Sequence, residues 1–120
     1  MLPSPPMRQL GDIALRDDDR TAIGKATRTI REAAEVVEIV LFGSKARGDD
    51  GPESDIDILV VTKRRLTRAE RHGIVDRIFP IQIDHDVVIS PLFVSAEEWE
   101  SGPISLLPIR LEIDEHGVAA

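Results

Sequence analysis

Asp55 and Asp57 stand one residue apart at the start of an apolar run, Asp55-Ile56-Asp57-Ile58-Leu59-Val60-Val61. In an extended chain alternate side chains leave the same face, so both carboxylates point one way while Ile56 and Ile58 pack on the other. Such positions lie roughly 7 Å apart along the backbone, close enough to converge on one divalent ion. Hard carboxylate oxygens favour magnesium or manganese over zinc. Unpaired acids on an apolar strand are costly without a compensating cation. Upstream, Gly43-Ser44 closes a second apolar run, Val36 to Phe42. A glycine and serine just past a strand can offer backbone N–H groups and a hydroxyl to a phosphate chain. Each pair alone is weak, since Asp-x-Asp is common in turns and solvated edges, and Gly-Ser is commoner still. The combination is more specific: strand, Gly-Ser, a loop-like stretch from Lys45 to Glu53, then Ser54-Asp55-x-Asp57 entering a second strand.

The elements that must hold these groups fit in one domain spanning 1–120, with residues 1–10 as a loose, proline-rich lead-in. The 120 residues are 42% hydrophobic, enough for a packed core. The absence of cysteine excludes disulfides, thiolate zinc sites and cysteine nucleophiles, and a reducing cytoplasm is the simplest compartment. No apolar run could span a bilayer, and the N-terminus lacks the pattern of a signal peptide. With 22 acidic against 15 basic residues the net charge is −7, which argues against a long nucleic acid held by this chain alone. A nucleotide bound with a metal ion is not excluded, because the metal supplies positive charge.

Ile23, Ala26, Thr27, Ile30, Ala33, Ala34 and Val37 recur at helical spacing, predicting a helix from about Asp17 to Glu38 that Asp17-Asp18-Asp19 can cap. Val36 to Phe42 and Asp55 to Val61 read as strands, with a short helical turn at Lys45-Ala46-Arg47 and a loop over 48–54. A second helix runs from Thr67 to about Ile83, opened by a Thr67/Glu70 capping box, with Pro80 placed to kink or stop it. A third strand lies around Val87-Val88-Ile89 and continues in Leu92-Phe93-Val94 past Pro91. Ser95 and Glu98 form another capping box, opening a short helix that carries Trp99, and a further helix follows Pro108.

The strings Leu41-Phe42-Gly43-Ser44-Lys45-Ala46-Arg47-Gly48 and Ser54-Asp55-Ile56-Asp57-Ile58-Leu59-Val60-Val61 resemble the signature of the DNA polymerase β-like nucleotidyltransferase superfamily, and within it the minimal nucleotidyltransferases (MNT). The resemblance covers about Val36 to Trp99 and is specific at motif level between Leu41 and Val61. It implies an α+β fold of the polymerase β-like nucleotidyltransferase type, a short mixed sheet with helices packed on one side. It also implies that Gly43 and Ser44 hold the β- and γ-phosphates of ATP, and that Asp55 and Asp57 bind Mg2+ or Mn2+. The chemistry would be attack on the α-phosphate with pyrophosphate leaving. Arg47 is either a phosphate contact or the partner of Asp49, Asp50 or Asp55. Lys45 reads as a solvated turn residue.

A third acid is expected on a later strand, where it helps activate the attacking hydroxyl. Asp86 is the preferred candidate because it abuts the strand, with Asp84 beside it, yet one alignment places Ser90 in that position. His72, His85 and His116 lack metal-ligand spacing and read as structural, as does Trp99. Stand-alone relatives act as antitoxins that adenylylate HEPN-domain toxins, so the resemblance implies a HEPN toxin partner, with a hetero-oligomer to match. The rival reading is a degenerate, nucleotide-binding module that neutralises its partner by contact. Small-molecule modification is a further rival, but transferases of that kind carry an added helical domain.

Overall fold

The structure, a computed structural model, describes residues 7–51 and 53–120. Its elements run β1 (Arg8–Gln9), α1 (Asp17–Ala33), β2 (Val36–Phe42), α2 (Ser44–Arg47), β3 (Ile56–Thr62), α3 (Arg68–His85), β4 (Ile89–Ser95), α4 (Ala96–Ser101), α5 (Pro108–His116) and β5 (Val118–Ala119). The strands form one mixed sheet in the order β1-β5-β2-β3-β4. β2 runs antiparallel to β3 and to β5, while β3–β4 and β1–β5 are parallel.

Strand alternation sorts the sheet into two apolar layers. Ile39, Leu41, Ile56, Ile58 and Val60 face the long helices, where Ala22, Ile23, Ala26 and Ile30 of α1 and Ile74 and Ile78 of α3 bury against them. Val40, Leu59 and Val61 face the other way and pack with Val94, Trp99 and Ile113 beneath α4 and α5. Asp57 has the parity of Leu59 and Val61, so it belongs to this second face. The α+β class and the short mixed sheet are those the sequence resemblance implies, but helices cover both faces rather than one, because Val40, Leu59 and Val61 also need an apolar cover and receive it from Trp99 of α4 and Ile113 of α5.

Several boundaries differ from expectation. α1 ends at Ala33 rather than Glu38, because Val36 begins the strand and Ala34 is already extended (φ −149°, ψ 159°). Arg16 occupies its N-cap without side-chain capping, and the Asp17-Asp18-Asp19 run lies inside the helix. Pro80 neither stops α3 nor marks its end, since the helix continues to His85. The predicted lead-in is ordered in part: Arg8–Gln9 is a strand beside β5, whereas residues 1–6 lie outside those described. Both capping boxes are formed, Thr67 with Glu70 and Ser95 with Glu98.

β4 starts at Ile89 rather than Val87, and it includes Pro91. Ile56 N–H donates to the Val88 carbonyl, so the parallel register turns the N–H positions of Ile89, Pro91, Phe93 and Ser95 outward. A proline on that open side costs the ladder nothing. Ile89 N–H instead donates to Gln82 Oε1 at 2.8 Å, and Ser95 N–H donates to Glu98 Oε1 at 3.1 Å. Phe93 alone keeps a ladder N–H turned to the open side, so this edge offers little to another strand.

Candidate active site

β2 delivers the chain to Gly43, whose φ of 76° and ψ of −158° lie in a region open essentially to glycine alone. The reason is visible across the sheet. Phe42 pairs with Asp57 in the β2–β3 register, and a side chain at Gly43 would overlap the Asp57 carboxylate. The Gly43 carbonyl accepts from Ala46 and Arg47 N–H, both at 3.1 Å, closing α2 directly behind it. Gly48 then leaves the helix in the left-handed conformation (φ 82°). The Gly-Ser turn and the Asp-x-Asp strand are therefore one packed unit.

Asp57 is half-buried, and its carboxyl is raised above the ordinary value of 3.8 by burial first and by the charge of Asp55 second, with Arg47 opposing. Ser90 stands opposite Asp57 on β4, and its hydroxyl donates to Asp55 Oδ2 at 3.3 Å. Neither aspartate forms an ion pair among the described residues. Arg47 turns instead to Asp49 Oδ2 at 3.1 Å and to Glu112 on α5, and these contacts, Asp49 foremost, raise its pKa. Its partners thus include Asp49, as one reading of the sequence allowed, and Glu112, which the sequence did not suggest.

The sequence model of the nucleotidyltransferase domain family matches residues 23–104, more than half of the chain and all of the unit just described. The chain belongs to the nucleotidyltransferase domain family. A Methanocaldococcus jannaschii protein, provisionally named a protein adenylyltransferase, is 39% identical over 54 residues, covering 45% of this chain. That alignment spans only 54% of the relative's own length. Among solved structures, a chain of a toxin-antitoxin crystal structure with AMP-PNP superposes with a TM-score of 0.57 at 20% identity, covering 87% of this chain and 72% of that one. A chain from the complex of tri-AMPylated Shewanella oneidensis HEPN toxin with MNT antitoxin gives 0.53 at 17% identity, covering 83% and 69%. At such identities the likeness is one of fold.

Within this nucleotidyltransferase domain, Gly43, Ser44, Asp55 and Asp57 come together as the spacing predicts, with Arg47 one helical turn behind. Asp86 does not share their strand. It caps α3 in the left-handed conformation (φ 51°) and lines a cleft with Arg16, Asp19, Glu53 and Ser54. Asp84 lies exposed in the last turn of the same helix. The residue in register with Asp57 is Ser90, the alternative that the alignment raised.

Lys45 is a correction. Far from solvated, it is 1% exposed, and its ammonium donates to Asp19 Oδ2 at 2.8 Å and to Asp50 Oδ2 at 3.1 Å. Burial pulls its pKa down, but the two carboxylates outweigh burial and leave it above 10.5. Asp19 is equally buried. It was legible only as a charge at a helix start, yet it falls three and four residues before Ala22 and Ile23, on the apolar stripe of α1. That phase is the signal that could have placed it inside. Arg8, also unremarked in the sequence, donates to the Ala46 carbonyl at 3.1 Å and the His116 carbonyl at 2.9 Å, tying β1 to the back of the turn.

The donor set fits a divalent ion. The described residues hold no group of three or more His, Asp or Glu placed for a metal. Magnesium, however, is commonly held by one or two carboxylates, with phosphate and water completing its shell. Asp55 and Asp57 supply two carboxylates, and the backbone of Gly43 lies so close to the second that a Cβ there would meet its Oδ2.

Proposed function

We propose that this domain is an ATP-using, Mg2+-dependent adenylyltransferase that acts on a protein hydroxyl, with a HEPN-type toxin as its acceptor and partner. The observation that carries the reading is the contact between a side-chain-free Gly43 and an Asp57 that forms no ion pair among the described residues. That contact sets a backbone turn without a side chain directly against a pair of carboxylates. Gly43 and Ser44 would hold the terminal phosphates through backbone N–H groups and the Ser44 hydroxyl. Asp55 and Asp57 would hold Mg2+ or Mn2+, which when bound stabilises the attacking and leaving oxygens. The Ser90 hydroxyl, donating to Asp55 Oδ2, would help to orient that carboxylate. Arg47, already paired with Asp49 and Glu112, would reach phosphate only by exchanging one of these contacts.

Support for a protein acceptor comes from the acidic surface, from the provisional name of the M. jannaschii relative and from the AMPylated toxin in the neighbouring structure. A second reading has its own observation. Ser90 holds the register position where a carboxylate could accept the proton of the acceptor hydroxyl, and a serine there is a poor base. Contact without catalysis would then neutralise the partner. Intact-mass measurement of a co-expressed HEPN partner, after incubation with ATP and magnesium, decides between the two. Added AMP that is lost in Asp55→Asn/Asp57→Asn supports transfer. An unmodified yet inhibited partner overturns it in favour of contact.

A further inference from the structure

We infer that two copies of this chain associate through α3, packed antiparallel about a two-fold axis near Phe79. α3 is apolar on two sides. Ile74, Ile78 and Ile81 bury against the sheet, while Val75, Phe79 and Ile83, spaced one turn apart, remain 38, 56 and 65% exposed. A single exposed apolar residue is ordinary, but a continuous stripe on one helix marks a surface that another surface covers.

The occupant follows from symmetry and charge. The stripe is centred on Phe79, with Val75 and Ile83 equally far on either side. A second α3 running the opposite way therefore sets Phe79 against Phe79 and Val75 against Ile83, an isologous contact. The ends of the helix are oppositely charged. Arg68 and Arg71 lie at its start, Asp84 and Asp86 at its end, and none of the four forms an ion pair among the described residues. Antiparallel packing brings each basic end against the other copy's acidic end, whereas parallel packing would set like charges together. Sheet-to-sheet pairing is disfavoured next to the stripe, because Gln82, Pro91 and Glu98 leave Phe93 as the sole unsatisfied ladder N–H on the open edge of β4. The contact is thus helix on helix. It lies on the face of the sheet opposite Asp57, so both candidate active sites stay open in the pair.

Sedimentation equilibrium of the full chain across a concentration series tests this. The protein sediments as a dimer, and Phe79→Glu weakens its association about a hundredfold, as for a hot-spot residue present twice at a symmetric interface. Leu111→Glu, which changes an exposed leucine on α5, leaves it unchanged. Because the chain has no cysteine, cross-linking is unambiguous. Phe79→Cys forms a disulfide-linked dimer on mild oxidation, and Val75→Cys mixed with Ile83→Cys links across the two variants. Circular dichroism confirms that each variant is folded, and Ile83→Glu replaces any that is not. A wild-type monomer throughout the series, a dimer indifferent to Phe79→Glu and Ile83→Glu, or cross-linking only between identical positions other than 79 overturns the proposal.

Discussion

On one side of the turn between β2 and β3, Asp19 and Asp50 close around the buried ammonium of Lys45. On the other, Asp55 and Asp57 lie side by side, with the Ser90 hydroxyl donating to Asp55 and no cation paired to either among the described residues. The first cluster is compensated within the chain, and its charges serve to fix α1, α2 and the loop at Asp50 to one another. The second is left uncompensated, and the fold raises the Asp57 carboxyl rather than relieving it. Charges that hold a fold are neutralised inside it, while charges that hold a ligand are left for the ligand to neutralise.

Removing the internal cation breaks this contrast most severely. Lys45→Met leaves the buried Asp19 with only the half-exposed Arg16 guanidinium, at 3.5 Å, and costs about 3 kcal/mol of folding stability, read from urea unfolding. Asp19 Oδ1 already lacks a hydrogen-bond partner, so Asp19→Leu combined with Lys45→Met recovers much of that loss. A double variant no more stable than Lys45→Met alone would show that the ion pair is not what the single change breaks.

Gly43→Ala acts at the boundary between the clusters. Its side chain meets the Asp57 carboxylate in a conformation that non-glycine residues avoid, a strain of about 1–3 kcal/mol. ATP binding with magnesium, followed by calorimetry, should be lost along with it. Unchanged affinity would remove Gly43 from the site.

Ser44→Ala is milder. On the proposed reading, backbone N–H groups would still face the phosphates, and about 1 kcal/mol of binding would disappear with the hydroxyl. A loss as large as that in Asp55→Asn/Asp57→Asn would make the hydroxyl a metal or phosphate ligand of the first importance.

The smallest effect sharpens the comparison by its sign. Because the native Asp57 carboxyl is raised, the fold favours its protonated form. Its contribution to stability is full below about the ordinary value of 3.8 and is lost as pH rises past its native value. At neutral pH and without metal, Asp57→Asn should therefore melt above wild type, with the gap closing in acid. Magnesium should raise the wild-type melting temperature more than that of the variant. A variant less stable than wild type at pH 7 in chelator would mean that Asp57 is compensated after all.

Legibility followed the range of the interactions involved. The glycine turn, the paired aspartates and both capping boxes are written within a few residues, so spacing alone exposed them. The strands carrying Asp57 and Ser90 were also readable, because alternation within a strand fixes its face. What escaped were contacts between distant segments. Lys45 looks solvated in its own sequence neighbourhood, and only α1 laid across it makes it buried. β1 and β5, of two residues each, are too short to show a pattern, and pairing alone defines them. Which residue stands beside Asp57 on β4 depended on the β3–β4 register, which no local signal supplies.

That pairing shapes how the molecule assembles. β5 lies between β1 and β2, so Val118 pairs with both Arg8 and Leu41. The β2–β3 ladder can zip as soon as its connecting loop closes, but β1 has no partner strand until the far end of the chain arrives. Folding should therefore run outward from β2–β3, with β1 and β5 docking last. Under native conditions the same pieces should open first, so that amide exchange is rapid at Gln9 and Ala119 and slowest at Leu59 and Val60.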